Sequence, residues 1–517
     1  MSSLPLISIL TLVPILGGIA ILLFGAGRNI AKLIALTSCA FAALVAIALW
    51  TGFDPASKQL QFVERHLWLP SMGIEYFVGI DGLGLVMVLL AAIVVPFAIA
   101  ATGEITDRPQ LHFALQLFLQ AGLFGSFTAL NFFHWFIFWE LSLIPAFFLV
   151  KLWGGPNRTS AAYQFFVYTL VGSIAMLLAF LALYAASGTF DFIKLAELSR
   201  NGTLMTSVTS KLRWPGVMPE HVPMILFAGA FLGFAVKVPV VPFHTWLPAT
   251  YAEAPTSVSM VLTGAMSKMG VYGFLRLVLP IFPHEMNAAL PVLMWLAVAT
   301  IVASAFAALA QQDLKRIVAY SSINHLGYCL LGIFAAAKLT ATGVASEFDK
   351  TAVLNGVVLQ MFNHGITAAA LFCFVGLIES RSGGVRSLSN FGGLRKVAPV
   401  FCGLMGITLF SSIGLPGLNG FVGEFLIFKG AFGIEKIPTA VSALGLLITA
   451  VFFLGIVQRV WSGPLASRWT TFPDLTGREK LLVAPAVAMM FVLGIYPQLL
   501  IGLFNGTMMQ LTQHLTF

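Results

Sequence analysis

The sequence predicts an all-α polytopic membrane protein: about fourteen transmembrane helices, with two inverted repeats of five helices in which helices seven and twelve are broken. Three observations carry this reading. The 517 residues are 59% hydrophobic and only 9% charged, whereas a soluble domain carries about 25% charged residues. The apolar residues fall in runs long enough to cross a bilayer. Two of the few charges inside those runs, Lys237 and Glu424, sit beside proline or glycine breaks, as in transporters built from repeats.

The same composition excludes other classes. A soluble fold has too few charges here to cover so much apolar surface, and a disordered chain needs a polar composition that is missing. The runs do not alternate in and out, so closed helices rather than a barrel must satisfy the backbone in lipid. The formal charge of +8 is scattered, with no basic run among aromatic residues. It fits positive cytoplasmic loops and gives no reason to expect a nucleic-acid partner. Cys39, Cys329, Cys373 and Cys402 each lie in an apolar stretch and form no CxxC pair, so they read as small buried hydrophobes rather than a metal or iron–sulfur site. The first apolar stretch lacks a basic leader and exceeds the core of a signal peptide, which marks it as a retained helix.

Taken in order, apolar runs place helices near 4–25, 31–51, 78–101, 111–131, 133–152, 160–187, 222–250, 256–280, 287–310, 315–337, 352–379, 397–430, 438–463 and 481–506. They group as residues 1–110 (helices 1–3), 111–280 (first repeat), 287–463 (second repeat) and 464–517 (last helix). Polar segments remain at 52–77, 188–221, 380–396 and 464–479. With the N-terminus outside, roughly 14 lysines and arginines fall in inner loops and roughly 9 in outer ones, so both termini are expected on the outer side. No glycine-rich phosphate loop appears.

The informative residues are the expensive ones. A charge at the centre of a membrane helix costs about 2.5–3.5 kcal/mol on insertion scales, and Glu140, Lys237, Lys268 and Glu424 all lie well inside apolar runs. Such residues mark ion paths. Lys237 precedes Pro239 and Pro242, which remove two helical donors and should break the seventh helix there. A second break is expected at Gly414-Leu415-Pro416-Gly417, with Glu424 following. His244, His325 and His364 lie in the seventh, tenth and eleventh runs and could relay protons. Their spacing does not suit a metal. Arg276 is expected to snorkel, His134 to be interfacial, and Asp81 and Glu379 to be solvated or capping.

At this point several motifs converge. Phe138-Trp139-Glu140-Leu141-Ser142-Leu143-Ile144-Pro145, Lys237-Val238-Pro239 with Pro242-Phe243-His244-Thr245-Trp246-Leu247-Pro248, Glu253-Ala254-Pro255-Thr256, Asp313 to Ile323 with His325, and Phe362-Asn363-His364-Gly365 stand in this order. Together they resemble the antiporter-like membrane subunits of respiratory complex I and of multisubunit sodium/proton antiporters, over about residues 75–460. The resemblance implies that Glu140 and Lys237 form a carboxylate–lysine pair. It implies that Lys268, His325 and His364 belong to a central hydrated axis, and that Glu424 is its terminal site. It also implies that the chain itself binds no cofactor, while NADH, FMN, iron–sulfur clusters and quinone reside in partner subunits. The expected partners are the other membrane-arm subunits, including two homologous antiporter-like ones, and the lipid bilayer of the inner (plasma) membrane.

Several relatives carry a lysine where this chain has Glu424, and the glutamate points to the NADH:quinone oxidoreductase branch. The expected function is proton translocation coupled to quinone reduction elsewhere in the complex. The competing readings are a D-type subunit of a sodium/proton antiporter, the homologous subunit of a photosynthetic NAD(P)H dehydrogenase-like complex, and an inert membrane anchor. Buried Glu140, Lys237 and Lys268 argue against the anchor, which would gain nothing from them.

Overall fold

The structure is a computed structural model and describes residues 4–25, 27–339, 344–513 and 515. Helices α1 (Leu6–Phe24) and α2 (Arg28–Gly52) are followed by an antiparallel hairpin of β1 (Gln61–Leu69) and β2 (Ile74–Ile80). Next come α3 (Gly82–Ala101), α4 (Pro109–Thr128), α5 (Phe132–Trp153) and α6 (Arg158–Ser187). Two short helices, α7 (Phe192–Arg200) and α8 (Thr203–Lys211), fill much of the long polar segment. The seventh run splits into α9 (Val222–Lys237) and α10 (Trp246–Glu253). The centre of the chain forms α11 (Thr256–Ile281), α12 (Leu290–Leu309), α13 (Leu314–Ala336) and α14 (Val344–Arg381). The twelfth run splits into α15 (Pro399–Ile413) and α16 (Asn419–Ile434); α17 (Lys436–Ile456), α18 (Gly477–Ile495) and α19 (Gln498–Gln513) complete the chain.

Among the described residues, eleven helices are long and apolar enough to cross a membrane, or twelve if α18 and α19, bent by 64°, are one span. Length and apolarity alone therefore do not reach the expected fourteen. Helix α4 carries buried polar side chains, and α15 and α16 have 15 and 16 residues, so these segments fall outside that count. The hairpin is also a departure from an all-α reading. Segment 61–69 is rich in aromatic and extended-chain formers, and Gly73 turns it at φ 61°.

Burial orders the bundle. Helices α11, α13 and α14 are buried along nearly their whole length. Helices α1, α2 and α6 bury one face and present Leu16, Leu44 and Leu178 outward, as lipid-facing helices do.

Two clusters of charge lock the ends of the central helices. Arg276 of α11 does not snorkel; it grips Asp81 through two bonds of 2.6 and 2.7 Å, and Asp81 also caps α3 by accepting from Gly84 N–H. At the other end, Lys315 pairs with Glu379 at 2.7 Å and Arg386 with Asp313 at 3.1 Å. Glu379 is thus an ion-pair partner rather than a solvated end. Lys315 and Arg386 also donate to the carbonyls of Ala254 and Ala252, at 3.2 and 2.6 Å. They satisfy the C-terminal end of α10, where cations are favoured. Asp81→Ala should lower stability by about 3 kcal/mol, because it strands a largely buried guanidinium and removes a cap. A thermal-shift assay on the detergent-purified protein would read this, with Asp81→Asn losing less because the amide oxygen still caps α3.

Candidate functional site: a buried polar row across the bundle

The first break lies where α9 ends. Lys237, 2% exposed, is the last residue of α9, and residues 238–245 beyond it are not helical. The break leaves few backbone groups stranded. Val240 N–H takes the Ala235 carbonyl at 2.7 Å, the Trp246 indole donates to Val236 O at 3.0 Å, and Thr300 Oγ1 accepts from Val241 N–H at 3.0 Å. Lys237 Nζ lies 4.6 Å above the Trp139 ring and 3.5 Å from Ser142 Oγ. Both belong to α5, where Glu140 stands between them in sequence.

Glu140 is half-buried, and its Oε1 has no hydrogen-bond partner in the protein. No ion pair within 4 Å joins Glu140 to Lys237 among the described residues, so the resemblance-implied pair shares a region but is not in salt-bridge contact.

Lys268 occupies the centre of α11 and is fully buried. It lies between two π-helical turns, Leu262–Met266 and Phe274–Val278, a distortion frequent at functional sites. Its Nζ donates to Thr263 O and sits 2.7 Å from His364 Nδ1. Two glycines make this meeting possible. A Cβ on Gly365 of α14 would stand 2.6 Å from Gly264 O of α11, so only glycine lets the two backbones approach so closely.

From His364 the row continues without interruption. The His364 and His325 ring centroids are 5.1 Å apart. His325 Nδ1 lies 3.1 Å from Glu424 Oε1, and Gln360 Nε2 donates to the same oxygen at 3.3 Å. The buried atoms His364 Nε2, His325 Nε2, Gln360 Oε1 and Asn363 Oδ1 have no partner in the protein. Four orphaned buried atoms around one row are the setting in which internal water is retained.

The second break carries Glu424. Gly414 ends α15 at φ 82°, with Gly414 N–H on Ser411 O and Leu415 N–H on Phe410 O, a Schellman closure. A Cβ at Gly414 would lie 2.7 Å from Glu424 Oε2, so the carboxylate rests on the broken backbone itself. Pro416 and Gly417 fall inside the break, with Gly417 at φ 92°. Asn363 and Asn419 clamp it to α14: each amide donates to the other's backbone carbonyl, at 2.6 and 3.3 Å. The Asn419 side-chain oxygen also accepts from Ser411 and Thr367.

Of the sequence-predicted residues, Lys268, His364, His325 and Glu424 are joined in one row, and Lys237 and Glu140 share one region of α5 and α9. Pro239 and Pro242 lie in the first break. His244 does not lie in a helix: it sits half-buried in that break, outside the row, and its Nδ1 is unpartnered. His134 is buried, packed 4.7 Å from Tyr76 and 5.0 Å from Phe138, rather than interfacial. Sequence reasoning missed Gln360, Asn419 and Ser142. The available signal for Gln360 was a polar residue one turn before His364 on an apolar helix. The four cysteines are separately buried, and among the described residues no group of three or more His, Cys, Asp or Glu side chains is arranged to hold a metal.

The chain is similar to proteins of known type over nearly its whole length. A family described as "NADH:quinone oxidoreductase/Mrp antiporter, TM" matches residues 129–451. NADH-quinone oxidoreductase subunit M of Rhodobacter capsulatus is 36% identical over 516 residues, covering 98% of this chain and 96% of that one. The subunit of the same name from Mycobacterium tuberculosis is 32% identical and covers 99% of this chain and 96% of that one. Among solved structures, a chain of respiratory complex I from Thermus thermophilus superposes with a TM-score of 0.83 at 26% identity, covering 99% of this chain and 100% of that one. A chain of the Mrp complex from Dietzia shares the fold with a TM-score of 0.80 at 22% identity, covering 98% and 97%.

Proposed function

Because the chain belongs to the NADH:quinone oxidoreductase/Mrp antiporter family of membrane subunits, we propose that it is the M-type, proton-translocating membrane-arm subunit of an NADH:quinone oxidoreductase. One observation carries the mechanism: Lys268, His364, His325 and Glu424 form an unbroken buried row between the two helix breaks. Each member of the row can hold or release a proton, and orphaned polar atoms beside it offer sites for water.

Quinone reduction elsewhere in the complex alters the charge beside Lys237 and so its attraction to Glu140. Lys237 passes its proton toward Lys268, the histidines relay it, and Glu424 releases it on the outer side. The chain holds no redox centre of its own in this reading. NADH, FMN, iron–sulfur clusters and quinone belong to partner subunits, and two homologous antiporter-like subunits are among the neighbours in the inner (plasma) membrane. Both termini face outward, and residues 111–280 and 287–463 act as two repeats with one broken helix each. The Mrp-type alternative falls under the same family description and shares the fold, but the full-length relatives are NADH-quinone oxidoreductase M subunits, and Glu424, where the resemblance gives several relatives a lysine, disfavours it.

A pull-down of the tagged chain from membranes in mild detergent, with partners identified by mass spectrometry, tests the assignment. Flavin and iron–sulfur subunits should co-purify. Recovery of only other hydrophobic antiporter subunits would overturn it.

A further inference from the structure

Helix α4 holds a second set of buried polar groups that the row does not use. His112, Gln116 and Gln120 stand one turn apart, and Ser126 falls on the same side of the helix. None is more than 1% exposed. Gln116 Nε2 lies 3.1 Å from His112 Nε2 and donates to Ser257 Oγ at 3.2 Å. Yet His112 Nδ1, Gln116 Oε1, Gln120 Nε2 and Ser126 Oγ have no partner in the protein. A buried polar atom left unsatisfied costs about 1–3 kcal/mol. Gln120 is engaged with α2, where its Oε1 accepts from Cys39 Sγ at 3.2 Å; the orphaned His112 Nδ1 and Gln116 Oε1, next to Ser257, are the atoms that call for water there.

Both ends of this set lead somewhere. At the end nearer the loop, the His112 ring packs edge-on against Trp153, 4.9 Å between centroids, and the Trp153 indole donates to the carbonyl of exposed Asp107 at 2.7 Å. This is the end of the bundle where Gly155 N–H bonds Glu253 O and Arg386 bonds Ala252 O, the side read as inner from its basic loops. At the deep end, Ser257 lies on α11 eleven residues before Lys268. Eleven residues advance a helix by about 16 Å, and the π-helical turn Leu262–Met266 lies on the way.

We propose that His112, Gln116 and Ser257 line a water-filled proton-uptake track that enters between α4 and α11 on the inner side and leads toward Lys268. His112 can take a proton at one ring nitrogen and release one at the other. Gln116 and Ser257 carry no net charge and orient water. The use of the track for pumping rests on the proton-translocation reading above; its hydration does not.

Two measurements on the assembled complex in inside-out vesicles separate these points. Ser257→Cys and Gln116→Cys should react with a small water-borne maleimide about tenfold faster than Ala121→Cys, a buried control on the opposite face of α4, because thiol reactivity requires access and a thiolate. Ser257→Cys is nearly isosteric, so it remains informative if the Gln116 variant fails to fold. Gln116→Leu and His112→Ala should each lower proton uptake per NADH oxidised by severalfold. Equal reactivity at all three cysteines would overturn the track as dry. Reactive cysteines with unchanged pumping in both His112→Ala and Gln116→Leu would overturn its role in uptake. Unchanged pumping in Lys237→Ala as well would instead sink the translocation reading.

Discussion

Glu140→Ala is expected to abolish proton pumping while leaving the complex assembled. The reason for the first half is electrostatic. An opposite charge nearby shifts a pKa by about 1–3 units, worth about 1.4–4 kcal/mol. Moving a proton against 150–200 mV requires about 3.5–4.6 kcal/mol. Switching the Glu140 charge against Lys237 is therefore of the size needed to drive most of one transfer, and alanine removes it entirely. The reason for the second half is structural. Glu140 Oε1 has no hydrogen-bond partner in the protein, and no ion pair ties Glu140 to a neighbour among the described residues, so its loss breaks no staple between helices. Proton uptake and NADH oxidation followed together in reconstituted vesicles would check this; pumping at the normal ratio in the variant would sink the mechanism.

Lys268→Met should suppress pumping to a similar extent, by about a hundredfold if its proton transfer matters as much as that of a positioned acid or base. Methionine keeps the length and apolar bulk of the stem but strands Thr263 O and His364 Nδ1, the two partners of Nζ. The sharper comparison is Lys268→Arg. Arginine keeps the charge and can donate to the same groups, but it does not give up its proton. If Lys268 is a carrier, the arginine variant assembles and fails to pump. If Lys268 only stabilises its neighbours by charge, the arginine variant pumps nearly normally, and the row must work without a proton leaving this position.

Much of this architecture was readable in the chain. Insertion cost marks Glu140, Lys237, Lys268 and Glu424 wherever they fall, because a charge in an apolar run needs a reason. Pro239 with Pro242, and Gly414 with Pro416 and Gly417, mark both breaks, because each acts on local backbone geometry. Asp81 and Arg276 illustrate the limit: each is an ordinary helix-end residue in sequence, and nothing within either segment says that they meet across 195 residues. His244 illustrates the opposite error. It shares a run with Lys237, but it falls in the break rather than in a helix, half-buried and apart from the row.

The sequence by itself determined the class, the buried charges and the two breaks, all of which follow from composition and from interactions within a few residues. Only the tertiary structure decided which buried groups touch. Whether Lys268 reaches His364 depends on Gly264 and Gly365 letting α11 and α14 close to backbone contact. Whether His325 reaches Glu424 depends on how α13 and α16 pack against α14. Such contacts arise from the packing of helices distant in sequence, and no local pattern encodes them. The same holds for the orphaned atoms of α4. A glutamine in a membrane helix is visible in the sequence, but that its partners fall short becomes visible only when every neighbour has been placed.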